Sequence, residues 1–168
     1  MKGNDGTGNI PERDLWKTSQ WLFDKLNKQY NFTFDCCATS KNTKCKRYSS
    51  NFESTILYPV DVNIMKEVCW MNPPFSKVLK MFKTFFSIVT KGVAIYRCDN
   101  METKVWQKVI LPNCSWVFIP NGRILYTPFE TGNMRNGMRT RFPSALIGIG
   151  VQPPRNIEGI ILVPKPPK

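Results

Sequence analysis

Apolar residues recur along this chain first at helical spacing, then in short unbroken runs, and the alternation predicts most of its elements. Trp21, Leu22, Leu26 and Tyr30 mark the inner face of a helix that Thr18 or Ser19 can cap, running to about Gln29 with Asn31 as its stop. Phe32-Thr33-Phe34-Asp35-Cys36-Cys37 then reads as a strand ending in an acid. Residues 39–54 are polar and basic, with only a short extended stretch around residues 47–49, and residues 61–67 suggest a short helix. Val68-Cys69-Trp70-Met71 is a buried strand that runs into a turn at Asn72. A second helix follows, with Ser76 as its cap, Gly92 as its end, and Val78, Leu79, Phe82, Phe85, Phe86 and Val89 facing inward while Lys77, Lys80 and Lys83 stay outside. Residues 93–98 form the next strand, and Asn100 caps a helix over residues 103–111 that carries Val105, Trp106 and Val109. Residues 115–119, 123–127, 146–151 and 160–163 make a terminal set of strands.

Strands alternating with helices and then giving way to strands predict an α/β fold. The expected form is a single three-layer Rossmann-like domain with a mostly parallel sheet and antiparallel edge strands. Residues 1–13 are Gly- and Asn-rich without periodicity and read as a flexible leader. Residues 14–163 form the domain, and residues 164–168 an exposed, proline-rich tail.

Composition narrows the picture. A chain of 168 residues with 42% hydrophobic content and 11 Phe has material for one core. Its 24 Lys and Arg against 12 Asp and Glu give a formal charge of +12, which draws in polyanions and points to nucleic acid as partner. The longest apolar stretches are far below the roughly 20 residues needed to cross a bilayer. The amino terminus lacks the hydrophobic segment of a secretory signal, so a cytoplasmic location is expected. The chain has no histidine, which excludes Ser-His, Cys-His and His-metal catalysis. Its six cysteines form no CxxC pair and several lie in apolar runs, so they read as buried thiols and no metal site is expected.

The chemistry is concentrated in Asn72-Pro73-Pro74-Phe75. The Asn72 side-chain oxygen can accept one hydrogen bond from a planar amino group, the rigid Pro73-Pro74 backbone can turn a carbonyl toward the second, and Phe75 can stack on the ring that carries the amine. Two acceptors on an aromatic amine oppose delocalisation of its lone pair and strengthen it as a nucleophile, so alkylation of an amino nitrogen is implied. In an open α/β sheet, ligands lie beyond the carboxyl ends of the strands. Asp35 and Asn72 each end a predicted strand, so if those strands are neighbours, Asp35 marks a second pocket beside the first. The basic run holding Arg135, Asn136, Arg139 and Arg141 is the candidate for gripping a nucleic acid, its arginines on phosphate or guanine and its amide on adenine.

From about Leu15 to Ile149 the chain resembles the bacteriophage-type Dam DNA N6-adenine methyltransferases. The resemblance rests on Trp16-Lys17-Thr18, Asp35-Cys36-Cys37-Ala38-Thr39, Asn42 with Lys44-Cys45, and Asn72-Pro73-Pro74-Phe75-Ser76, with weaker echoes at residues 121–126 and 143–146. It implies S-adenosyl-L-methionine as methyl donor, with Asp35, Cys36, Cys37, Ala38 and Thr39 lining its pocket and Trp16, Lys17 and Thr18 closing over its methionine end. It also implies double-stranded DNA as partner, in a phage or prophage protein. A duplex adenine would have to leave the base stack to be reached. Ser19 stands where the family usually has Pro, Tyr96-Arg97-Cys98-Asp99 replaces the usual Leu-Pro-Ala-Arg-like segment, and there is no glycine-rich turn after the first strand. Two alternatives remain: the same chemistry on RNA or a protein amide, and a nucleic-acid-binding relative without catalysis.

Overall fold

A computed structural model of the chain describes Asp14 and residues 16–54, 63–124, 126–127 and 142–164. Nine strands are present among them: β1 (Lys17–Thr18), β2 (Phe34–Asp35), β3 (Arg47–Tyr48), β4 (Cys69–Met71), β5 (Gly92–Arg97), β6 (Trp116–Pro120), β7 (Tyr126–Thr127), β8 (Ser144–Ile149) and β9 (Gly159–Leu162). Seven of them form one sheet in the order β3-β2-β4-β5-β8-β6-β9, while β1 and β7 pair antiparallel apart from it. The helices are α1 (Gln20–Tyr30), α2 (Val78–Ile88) and a π-helical segment, Val105–Ile110, that continues into a last turn, α3 (Leu111–Asn113).

Local chemistry sets the boundaries. The Ser19 hydroxyl accepts from the Leu22 N–H at 3.3 Å and starts α1. Asn31 stops it in the left-handed region at φ 52°, where asparagine is tolerated. Helix α2 begins differently from expectation: a 3₁₀ turn, Phe75–Lys77, precedes it, and the Ser76 hydroxyl donates to Asp14 instead of capping the helix. Gly92 opens β5 and does not end α2. A Cβ at this position would lie 2.8 Å from the Cys69 carbonyl oxygen on the neighbouring strand. Gly148, paired with Trp116, has still less room, because a Cβ there would fall 2.0 Å from the indole.

The expectation of a mostly parallel sheet with antiparallel edges is corrected. The β3-β2-β4-β5 half is parallel, and the β5-β8-β6-β9 half is antiparallel throughout, with β8 in the sheet interior. β8 pairs antiparallel with both β5 and β6 and fills the sheet between them, so the sheet turns from parallel to antiparallel at β5. The predicted strand over residues 123–127 shrinks to β7, outside the main sheet.

Side-chain alternation along the central strands feeds two cores. Cys69, Met71, Ala94 and Tyr96 join Met81, Phe82 and Phe85 of α2 and Trp106 of the π-helical segment. Trp70, Val93 and Ile95 join Leu22, Phe23 and Leu26 of α1. Opposite parity on the same strands is the period-2 rule applied to a sheet buried on both faces. It fixes which residues at the carboxyl ends of β2 and β4 turn toward solvent, and so positions the site. No helix among the described residues is long and apolar enough to cross a membrane.

Candidate functional site

Strands β2 and β4 are parallel neighbours with Asp35 opposite Trp70, so Asp35 and Asn72 leave the sheet side by side. Both line one cavity of 210 Å³. All eight residues proposed for the donor pocket, Trp16, Lys17, Thr18, Asp35, Cys36, Cys37, Ala38 and Thr39, line it too, as do Asn72 and Pro74 of the turn. Pro73 and Phe75 do not line it: Pro73 is buried, and the half-buried Phe75 ring packs edge-on to Phe142 at 5.4 Å and lies 6.0 Å from Tyr96. Arg135, Asn136, Arg139 and Arg141 lie outside the described residues, as does the leader 1–13.

Asp35 is a buried carboxylate that organises the loop after it. One oxygen accepts from the Cys37 N–H at 3.2 Å and the other from the Lys44 N–H at 2.9 Å, bending residues 36–44 around the acid. Burial pushes its pKa up, and those two N–H groups and the Lys44 charge pull part of the way back. Asn42 closes the same loop by accepting from the Thr39 N–H at 2.7 Å. The Lys44 ammonium, drawn down in pKa by burial and partly restored by Asp35 and Asp24, reaches Gln20 Oε1 at 2.8 Å.

Asn72 is held from the other side. Its Nδ2 donates to the Trp16 carbonyl at 2.9 Å. A carbonyl only accepts, so this contact fixes which end of the amide is which and leaves Oδ1 as the acceptor that Asn72 offers a ligand. Asp14, a residue that sequence reasoning passed over, accepts from the Ser76 N–H at 2.9 Å and from the Ser76 hydroxyl, tying the same amino-terminal segment to the end of the turn. Glu53 and Lys77, also unanticipated, pair across the cavity wall at 2.5 Å.

Thr18 is 1% exposed, lines the cavity, and its hydroxyl has no hydrogen-bond partner among the described residues. A buried hydroxyl left unpaired costs free energy, and ligand-binding walls are where such a cost is tolerated. Burial first, and then the Asp35 and Glu53 charges, push the Cys37 thiol well above the usual range, which favours its protonated form. All six cysteines are free. Residues 96–99 form an ion pair beside the aromatic cluster. Arg97 donates to both Asp99 oxygens at 2.7 Å, and its guanidinium lies 5.4 Å from the Phe142 ring centre. Neither residue lines the cavity.

A strand-end cleft with an acid-organised loop on one wall and an oriented amide on the other is the candidate ligand site of this α/β protein. Comparison with known sequences gives the family: residues 6–148 match the DNA N-6-adenine-methyltransferase (Dam) family, and the chain belongs to it. It is therefore an adenine-specific DNA methyltransferase. Among its relatives is the DNA N-6-adenine-methyltransferase of Haemophilus phage HP1 (strain HP1c1). The two are 29% identical over 126 residues, 72% of this chain and 70% of that protein.

Proposed function

We propose that this chain transfers a methyl group from S-adenosyl-L-methionine to the N6 amine of an adenine flipped out of duplex DNA, on a Rossmann-like three-layer methyltransferase domain spanning residues 14–163. The observation that carries this reading is the oriented Asn72 amide on the cavity that Asp35 also lines. The residues present suit the donor: an unpaired buried Thr18 hydroxyl, the Asp35 carboxylate and the loop of Cys36, Cys37, Ala38 and Thr39 offer polar and shape contacts, with Trp16 and Lys17 beside them.

When bound, the donor supplies a sulfonium methyl, which passes to the amine nitrogen as that nitrogen contributes the bonding pair and the sulfur keeps the electrons of the broken bond. The chain's own part is positioning. Asn72 Oδ1 accepts one amine hydrogen, and a backbone carbonyl of the Pro73-Pro74 turn accepts the other. Phe75, with Phe142 and Tyr96 against it, gives the base an aromatic face. Holding reactants in line contributes up to about 7–11 kcal/mol through effective concentration, so no strong general base is needed. The proton leaves to solvent once the nitrogen is alkylated and acidic. Arg135, Asn136, Arg139 and Arg141 hold the DNA, and the enzyme acts in the cytoplasm of a bacterial host carrying the phage or prophage.

The test is transfer of labelled methyl to adenine-containing duplexes, with RNA and protein as comparison substrates. Asn72→Ala is expected to fold normally and to lose about 10²–10³-fold in kcat, the usual cost of one preorganised charge-stabilising contact. Undiminished transfer by that variant would refute the assignment.

A further inference from the structure

The amino-terminal segment grips the Asn72 turn at both ends. At its start, Trp16 O takes the Asn72 Nδ2 hydrogen at 2.9 Å. At its end, both carboxylate oxygens of Asp14 take hydrogens from Ser76, one from its backbone and one from its hydroxyl. These partners are 56 and 62 residues apart in sequence, so nothing local dictates the contacts. Trp16 is itself fixed from behind. Its ring packs edge-on to Tyr126 and to Phe142, each at 6.3 Å, and the next residue, Lys17, pairs with Thr127 in the β1–β7 ladder.

An asparagine amide has two ends of nearly equal size and opposite hydrogen-bonding sense. Turned the wrong way, Asn72 would present an NH2 to the NH2 of the target base. The Trp16 carbonyl selects the useful rotamer, but only while the segment that carries it keeps its place against the turn. The Asp14 side chain bonds to that turn directly, through two hydrogen bonds to a single residue.

We infer that Asp14 is a positioning residue. By fastening the 14–18 segment to Ser76 it holds the Trp16 carbonyl on Asn72, and so keeps the Asn72 acceptor aimed. The inference rests on the role proposed for Asn72. It separates Asp14 from the donor pocket it borders: its contribution lies in the geometry of the turn and not in affinity for donor or DNA.

Steady-state methylation of an adenine-containing duplex, with donor and DNA varied in turn, distinguishes these roles. Asp14→Ala is expected to lower kcat by about ten- to a hundredfold, the size of a misplacement of about 1 Å, with KM for donor and DNA within about twofold. Asp14→Asn, whose amide oxygen still accepts from the Ser76 N–H and whose NH2 still faces the Ser76 oxygen, is expected to recover most of the loss. The Asp14→Ala, Ser76→Ala double variant should be no slower than Asp14→Ala, because that variant already lacks the hydroxyl bond that Ser76→Ala removes. If Asp14→Ala keeps kcat within twofold while Asn72→Ala is inactive, the clamp is wrong and the role of Asn72 stands. A loss seen only in KM overturns the clamp as well. Activity retained by Asn72→Ala would remove the premise instead. Should Asp14→Ala unfold, Ser76→Ala decides, since it deletes one exposed hydroxyl and keeps the backbone N–H bond: a several-fold drop in its kcat with KM unchanged supports the clamp, and an unchanged kcat overturns the two-bond clamp.

Discussion

The acceptor that Asn72 offers the cavity is one oxygen, and its direction depends on a carbonyl that can only accept. This makes asparagine and aspartate unequal at position 72, although either offers an acceptor to a base. An ionised carboxylate would set a second acceptor against Trp16 O in a half-buried site and be turned away from it. Asn72→Asp is therefore expected to lose about tenfold or more in kcat at neutral pH, in line with the removal of one oriented hydrogen bond. Protonation gives the acid an O–H to donate to Trp16, so part of that loss should return as pH falls. A kcat profile for the variant that runs parallel to wild type over the same range would sink the argument. Asn72, Asp35 and the residues around them were legible in the sequence because strand-end turns carry their chemistry in adjacent positions. Asp14 and Phe142 were not: what they do is set by contacts to residues 76, 75, 16 and 126, which no spacing along the chain encodes.

Between elements, Glu53 and Lys77 form a polar link across the cavity wall. The pair fastens the 3₁₀ turn Phe52–Ser54 to the 3₁₀ turn Phe75–Lys77. Burial pushes the Glu53 pKa up, but the hydrogen bond from Lys77 and the charges of Lys77 and Lys80 outweigh it, and the net value lies below the ordinary 4.5. A depressed carboxylate stabilises the fold above its unfolded pKa, and that contribution is lost as pH falls through the folded value. Comparing urea midpoints of wild type and Glu53→Gln should thus show wild type ahead at neutral pH, by no more than about 1 kcal/mol after solvent screening. The gap should close below 4.5. A gap that persists at lower pH would mean the pair contributes nothing through charge. Helices α1 and α2 were readable because their apolar faces span several turns, although Trp21, expected on the inner face of α1, is exposed and Phe23 is buried in its stead. By contrast, β1 and β7 are two residues each, too short for any period to register. The parallel pairing of β4 and β5 followed from helix α2 between them. The interior antiparallel β8 did not, because strand order is decided by long-range pairing that a local pattern does not contain.

For the whole molecule, the dominant quantity is an excess of 12 positive charges on 168 residues, and the substrate is a polyanion. Binding that displaces counterions from phosphates weakens with salt along a log–log slope of about −0.9 per phosphate neutralised on duplex DNA. The basic residues Arg135, Arg139 and Arg141 sit on the connection between β7 and β8. The described residues at its two ends are Thr127, paired with Lys17 next to the Trp16 that bonds Asn72, and Phe142, which packs on Phe75. If these arginines hold the DNA as proposed, they carry a larger share of its salt dependence than the lysines of α2. Titrating a labelled duplex by fluorescence anisotropy at several salt concentrations measures this. Replacing the three arginines with alanine is expected to make the slope shallower by about 3, roughly one for each phosphate no longer neutralised, and to weaken binding alike on methylatable and unrelated duplexes. Replacing Lys80 and Lys83, exposed on the outer face of α2, should change the slope by less than about 1. If the lysine variant instead flattens the slope and the arginine variant does not, the DNA lies across α2, and Phe75 would have to receive its base from the opposite side.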